Sequence, residues 1–364
     1  MSTGDARPSR DFSVIVPAHQ AALLLPDTLD ALSRSSLPRV RWELLVVDDA
    51  STDDTARVAA RWADAVITLD GPPRGPGGAR NAAAARASGT WLVFIDADVR
   101  VHPDTLERIA TVVTEDPALV GVFGSYDDAP AEQGLLSEYR NLLHRYVHLR
   151  GAGDAETFWA GCGAIRRDAF EAVDGFDTAR FPRPQIEDIE LGYRLRDRGW
   201  RIRLDPSIQG THLKRWRLWP MVRTDFRDRG LPWMRLLLER RGRTAPTLNT
   251  GRAEQLRVGL AGLAIATLTA GLLLRSPTIA VASLALWLLL AVANIETYRW
   301  FAAERGVGFA LRVIPLHVAY YASNALAAAV GIVTYAVTPR ATAGGRVAPE
   351  TRGAAAGAEG RIAR

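Results

Sequence analysis

The chain has 364 residues, 45 Lys+Arg against 40 Asp+Glu, a formal net charge of +5 and one cysteine. A lone cysteine, Cys162, excludes an intramolecular disulfide framework and a cysteine-rich metal cluster. The basic residues are arginines with the single exception of Lys214, and no basic run interleaves with aromatics, so nucleic acid is not expected as a partner.

Residues 1–11 carry no apolar run of the kind an export signal needs and read as a flexible N-terminus. Phe12 to Pro17, Trp42 to Val47 and Trp91 to Ile95 are short apolar runs that read as buried strands. Between them, Leu23 to Ser33 has apolar residues at helical spacing, and Thr52 to Ala63 follows an N-cap cluster, Ser51-Thr52-Asp53-Asp54. Strands alternating with helices predict an α/β domain with a mostly parallel central sheet, ligands binding at the carboxyl ends of the strands. Acidic residues stand at those ends: Asp48-Asp49 after the second strand, Asp96-Ala97-Asp98 after the third. From residue 121 to 210 short strands mix with helices, one of which, Ile189 to Arg198, is opened by Glu187-Asp188.

Beyond residue 217 the character changes. The stretch 218–255 is rich in arginine and tryptophan and reads as an amphipathic segment at a membrane surface. Three apolar runs follow, 256–274, 277–296 and 309–337. A bilayer's hydrocarbon is about 30 Å thick and takes about 20 helical residues to cross, so each run is long enough to span. The arginines ahead of the first run place the catalytic side in the cytoplasm and predict a multi-pass cell-membrane protein. Three crossings would carry the arginines of the tail outside, which leaves open whether one run is re-entrant. Residues 338–364, rich in Ala and Gly, read as disordered.

The sharpest chemical signal is Asp96-Ala97-Asp98, because residues two apart on an extended chain project to one side. Two like charges held together favour a hard divalent cation, Mg²⁺ or Mn²⁺, which usually also holds a substrate's phosphates. The competing reading is that Asp98 or Asp104 caps the segment after His102-Pro103.

Taken in order, SVIVPAHQ, LLVVDDASTDDT, GPGGARNAAAARASG, WLVFIDADV, FWAGCGAIRRDAFEAVDGFD and QIEDIELGYRLRDRGWRI resemble the family-2 glycosyltransferases of the GT-A fold. The resemblance covers residues 12–217, the expected catalytic domain. It implies that Pro17, Ala18 and His19 line the nucleotide, that Asp48 and Asp49 hydrogen-bond the base or ribose, and that Arg80 approaches the base or diphosphate. It implies that Asp96 takes a nucleotide and metal role, that Asp98 is a direct metal ligand, and that Asp188, with Glu187 beside it, is the base. His212 is expected as a third metal ligand, with Lys214, Arg215 and Trp216 closing on the diphosphate.

The function expected is an inverting, metal-dependent transfer of sugar from a nucleotide-sugar donor to a lipid-linked or membrane-presented hydroxyl. A tethered catalytic domain gains effective concentration only if its acceptor is also at the membrane. Two alternatives are a noncatalytic membrane scaffold that binds nucleotide sugars, which would transfer nothing, and a metal-dependent nucleotidyltransferase, which would release pyrophosphate.

Overall fold

The computed structural model describes residues 10–241, 243 and 250–337. Strands β1 (Phe12–Ala18), β2 (Trp42–Asp49), β3 (Ala65–Leu69) and β4 (Trp91–Ile95) pair in parallel in the spatial order β3-β2-β1-β4. Helices α1 (Leu25–Ser33), α2 (Thr55–Ala59) and α3 (Gly75–Ala84) fill the connections. Side chains alternate between the faces of the sheet, and both faces are covered. Val14 and Val16 enter one core, while Ile15, Leu45 and Val47 enter the other. That is why the strands are continuous apolar runs rather than alternating ones.

After β4 the chain adds β5 (Val99–Val101), α4 (Thr105–Glu115), β6 (Leu119–Tyr126), α5 (Leu135–Arg150), β7 (Gly153–Ala155) and β8 (Cys162–Arg166). Next come α6 (Arg167–Ala172), α7 (Glu187–Asp197) and β9 (Arg201–His212). β8 runs antiparallel between β4 and β6, and β9 runs parallel to β6 and antiparallel to β5, so the parallel half continues into a mixed half. The β5–β9 register sets Val99 opposite His212, and Leu213 N donates to Asp98 O at 2.8 Å. This pairing thus brings Asp98 and His212, 114 positions apart, to one strand end.

The C-terminal third is helical: α8 (Leu218–Arg223), a π-helix (Thr224–Gly230), α9 (Leu231–Glu239), α10 (Arg252–Leu273), α11 (Pro277–Ala293), α12 (Ile295–Arg305) and α13 (Val307–Val337). α10 and α13 are each long and apolar enough to cross a membrane. α11 and α12 qualify only as a pair bent by 57°, which gives two candidate spans, or three if the bent pair is one. Leu273 is 78% exposed, and Leu272, Leu284 and Leu288 are also exposed, as expected of side chains whose solvent is lipid.

The bend falls inside the expected 277–296 run, at Asn294, whose side chain caps back onto Leu290 O. α12 then turns along the α/β domain. Phe301 is fully buried against Tyr139, Arg150 pairs with Glu296 at 3.0 Å, and Arg305 pairs with Glu138 at 3.1 Å. Of the expected flexible N-terminus, 1–11, residues 1–9 lie outside the described residues, as does the expected disordered tail 338–364, while Asp11 pairs with Arg41 at 2.6 Å.

Candidate active site

The carboxyl ends of β1, β2 and β4 open into a cavity of about 670 Å³. Pro17, Ala18 and His19 line it at the end of β1, and His19 Nδ1 lies 2.7 Å from Asp49 O. Asp49 also lines it. Its two carboxylate oxygens accept from the backbone N of Arg74 and of Gly75, each at 2.8 Å, and so tie the end of β2 to the start of α3. Gly75 is there because its φ is +74° and a Cβ would sit 2.9 Å from Pro182 O. Asp48 points away from the cavity and accepts from Ser51 N at 3.1 Å, since neighbours on a strand face opposite sides.

Arg80 on α3 is buried and reaches β4 and α7 at once, with Asp96 Oδ1 at 2.6 Å and Glu187 Oε1 at 3.4 Å. Its guanidinium lies 5.4 Å from the Phe176 ring. Burial, with the Asp188 carboxylate beside it, pushes the Glu187 carboxyl up to about 7, while Arg80 pulls it down. Asp188 is fixed from two sides: Oδ2 accepts from Ala160 N at 3.1 Å and Oδ1 from Ile189 N at 2.8 Å.

Asp98 Oδ2 and His212 Nε2 face each other at 3.7 Å. That is too long for a hydrogen bond, and it falls between the about 3.0 Å of adjacent and the about 4.2 Å of opposite ligands around an octahedral cation at about 2.1 Å. Burial would raise the Asp98 carboxyl, but His212 and Lys214 hold it below the ordinary range. The expected trio of Asp96, Asp98 and His212 does not converge, because Asp96 is turned to Arg80. Among the described residues no three His, Cys, Asp or Glu side chains are arranged around one point. The residues present therefore fit a cation held by one carboxylate and one imidazole, with its remaining positions left to phosphate and water.

Lys214 and Trp216 line the cavity, the ammonium 4.6 Å from the indole, whereas Arg215 is exposed and lies outside it, 3.9 Å from Glu132. Cys162 is wholly buried within the sheet, and burial pushes its thiol up to about 12, so it stays protonated and inert.

Residues 13–174 match the family model described as glycosyl transferase family 2. That match is to a family-2 glycosyltransferase domain and takes in less than half of the chain. That domain is 32% identical over 108 residues to poly(ribitol-phosphate) beta-N-acetylglucosaminyltransferase TarS of Staphylococcus aureus, covering 29% of this chain and 19% of TarS. Glycosyltransferase AglE of Haloferax volcanii is 26% identical over 210 residues, covering 55% of this chain and 66% of AglE. The chain therefore spans between a fifth and two thirds of the length of these relatives. The GT-A-like fold is shared with the mannosyltransferase PcManGT of Pyrobaculum calidifontis, solved with GDP-Man and Mn²⁺. The TM-score is 0.56 at 22% identity, with 88% of each chain covered.

The cavity also contains residues that the sequence alone did not single out. Tyr126, at the end of β6, stacks on His212 with ring centroids 4.4 Å apart and planes 18° from parallel. His144 of α5 and Trp159 lie against Tyr126 at 4.5 and 4.9 Å. Arg140 and Arg229 complete the far wall. The sequence signal for Tyr126 was available, since the apolar run Leu119 to Tyr126 ends in Asp127 much as the other site strands end in acids.

Proposed function

We propose that the chain is an inverting glycosyltransferase that moves a sugar from a nucleoside-diphosphate donor to a hydroxyl on a lipid-linked or membrane-presented acceptor. The observation that carries this reading is a single cavity lined by Asp49, the Asp98–His212 pair and Asp188, and bordered on its far side by α5, the π-helix and Trp233 of α9.

The nucleotide lies along Pro17, Ala18 and His19, with Asp49 holding the loop that closes over it. Asp98 and His212 would hold Mg²⁺ or Mn²⁺, in keeping with the Mn²⁺ in the mannosyltransferase that shares the fold. Such a cation, when bound, neutralises the charge that develops on the departing diphosphate. Lys214 lies on the same side and adds a second positive group. Arg80 keeps Asp96 and Glu187 in place rather than reaching for the donor, and Glu187 acts as its buried counter-charge.

Asp188 accepts the proton of the acceptor hydroxyl as that oxygen bonds to the anomeric carbon. The bond from that carbon to the diphosphate oxygen breaks, and its electron pair leaves with the nucleoside diphosphate. Attack from the face opposite the leaving group inverts the configuration. No second acid is needed, because the leaving group departs as a stabilised anion.

The test is incubation of the full chain, in nanodiscs of native lipid, with a panel of labelled nucleotide sugars, followed by mass and anomer analysis of the lipid fraction. Label should appear in lipid with inverted configuration. Asp188→Asn should lower the transfer rate by 10²-fold or more while donor binding persists. An unimpaired rate in that variant places the base elsewhere, and pyrophosphate as the released product identifies a nucleotidyltransferase instead.

A further inference from the structure

Asp98 and His212 face each other at the edge of the sheet. Asp98 directly precedes β5, which is three residues long, ends the sheet on that side and pairs with β9 through Val99↔His212, Arg100↔Thr211 and Val101↔Gly210. A strand about half the usual length does little by its own ladder to fix the 3.7 Å between the two side chains. The His212 ring makes no hydrogen bond among the described residues. Imidazoles that bind metals are ordinarily oriented by a hydrogen bond through their second nitrogen.

Two consecutive residues at the end of β6 supply what is missing, one on each side of the sheet, because neighbours on a strand face opposite ways. Tyr126 faces the cavity, as His212 does, and its ring lies flat over the imidazole at 4.4 Å. Trp159, set edge-on at 4.9 Å, backs the Tyr126 ring.

Asp127 turns away from the cavity and is buried. Its backbone N donates to Gly210 O of β9 at 3.0 Å. Its Oδ2 accepts from the hydroxyl of Thr211, the neighbour of His212, and lies 2.9 Å from His102 Nε2, one residue past β5. One carboxylate oxygen thus joins the chain leaving β5 to the end of β9, the two segments that carry Asp98 and His212. The carboxylate is itself held, since Oδ1 accepts from Ala129 N at 3.1 Å and Asn141 Nδ2 donates to Asp127 O at 2.8 Å.

We propose that Asp127 and Tyr126 are positioning residues for the divalent cation: Asp127 sets the distance between Asp98 and His212, and Tyr126 sets the plane of the imidazole. Neither acts as a ligand. Strand anchoring and ring stacking together do here what a hydrogen bond to the second ring nitrogen does at other metal sites. The proposal rests on the reading of Asp98 and His212 as the cation site.

The test follows binding of UDP, and separately of GDP, to the full chain in detergent by calorimetry over a series of Mn²⁺ concentrations. The quantity compared is the Mn²⁺ concentration at which the tightening is half complete. Thr211→Val removes the hydroxyl that Asp127 holds, at nearly constant volume, and Thr211→Ser keeps it. Tyr126→Leu removes the stacked ring, and Tyr126→Phe keeps it. Thr211→Val and Tyr126→Leu should each raise the half-saturating Mn²⁺ by about 10–100-fold, the loss typical of groups that orient a metal ligand. Thr211→Ser and Tyr126→Phe should stay near the parent. Both Thr211 variants should keep the parent's nucleotide affinity in the absence of metal, which a general loss of structure would not allow.

A parent-like response to Mn²⁺ in Thr211→Val or in Tyr126→Leu would overturn the proposal and leave the cation site standing. A loss in Thr211→Ser or Tyr126→Phe as large as in its partner variant would also overturn it, because the hydroxyl or the ring would then not be the group that matters. A parent whose nucleotide binding ignores Mn²⁺ removes the cation reading of Asp98 and His212, and the proposal with it.

Discussion

At the scale of single residues, the site depends on charges arranged so that few are left alone. Arg80 is shared by Asp96 and Glu187, Arg140 by Asp225, and His102 by Asp127 at 2.9 Å. Removing one member of a buried pair costs more than the pair contributes, because the survivor is stranded. His148 shows the opposite strategy, a titratable group kept neutral. Its Nδ1 donates to Gly124 O at 2.9 Å, and burial lowers its pKa to about 4. The unfolded chain protonates this imidazole near its ordinary value of about 6.5. His148 therefore contributes its full stability above that pH and loses it as pH falls toward 4. Relative to His148→Gln, the parent's advantage in thermal unfolding should shrink by about 2 kcal/mol between pH 7 and pH 5. A gap that does not change with pH would show that His148 titrates normally in the fold.

At the scale of elements, what was legible in the sequence was whatever depends on neighbours along the chain. Continuous apolar runs marked β1, β2 and β4 because both of their faces are covered, and Asp96 and Asp98 announced themselves by following such a run. The pairing of Asp98 with His212 depends on the β5–β9 register, a contact over 114 positions that no local pattern encodes. Only the resemblance to related enzymes put His212 among the expected ligands. The bend after Ala293 was hidden by the continuing apolarity of Ile295. α12 has a clear structural role once seen, since Phe301 docks it on α5. Phe301→Ala should cost about 3–5 kcal/mol at that contact. Hydrogen exchange would then rise in α5 and α12 while β1 to β4 stay protected, and unchanged exchange in α5 would mean that α12 does not brace it.

At the scale of the whole molecule, the helices set a topology. α10 and α13 run in the same direction, since Glu254 meets Tyr321 and Gly262 lies nearest Ala325. α11 runs back along α10, with Gly271 of α10 set close against Ala280. If all three traverse the bilayer, the chain after Val337 emerges opposite the catalytic domain, against the charge asymmetry expected from its arginines. A cysteine label at the C-terminus should then be reached by a membrane-impermeant reagent from the face opposite the one that labels the catalytic domain. Labelling from the same face would contradict the parallel course of α10 and α13 as two spans.

The most direct measurement is calorimetric titration of a nucleoside diphosphate into the full chain and into Asp98→Ala, each with and without Mn²⁺. The expected result is binding that tightens at least tenfold with Mn²⁺ in the parent and no longer responds to the metal in the variant. Nucleotide binding that ignores Mn²⁺ in the parent, or a metal response that survives the loss of the Asp98 carboxylate, would contradict a donor held through a cation at the Asp98–His212 pair.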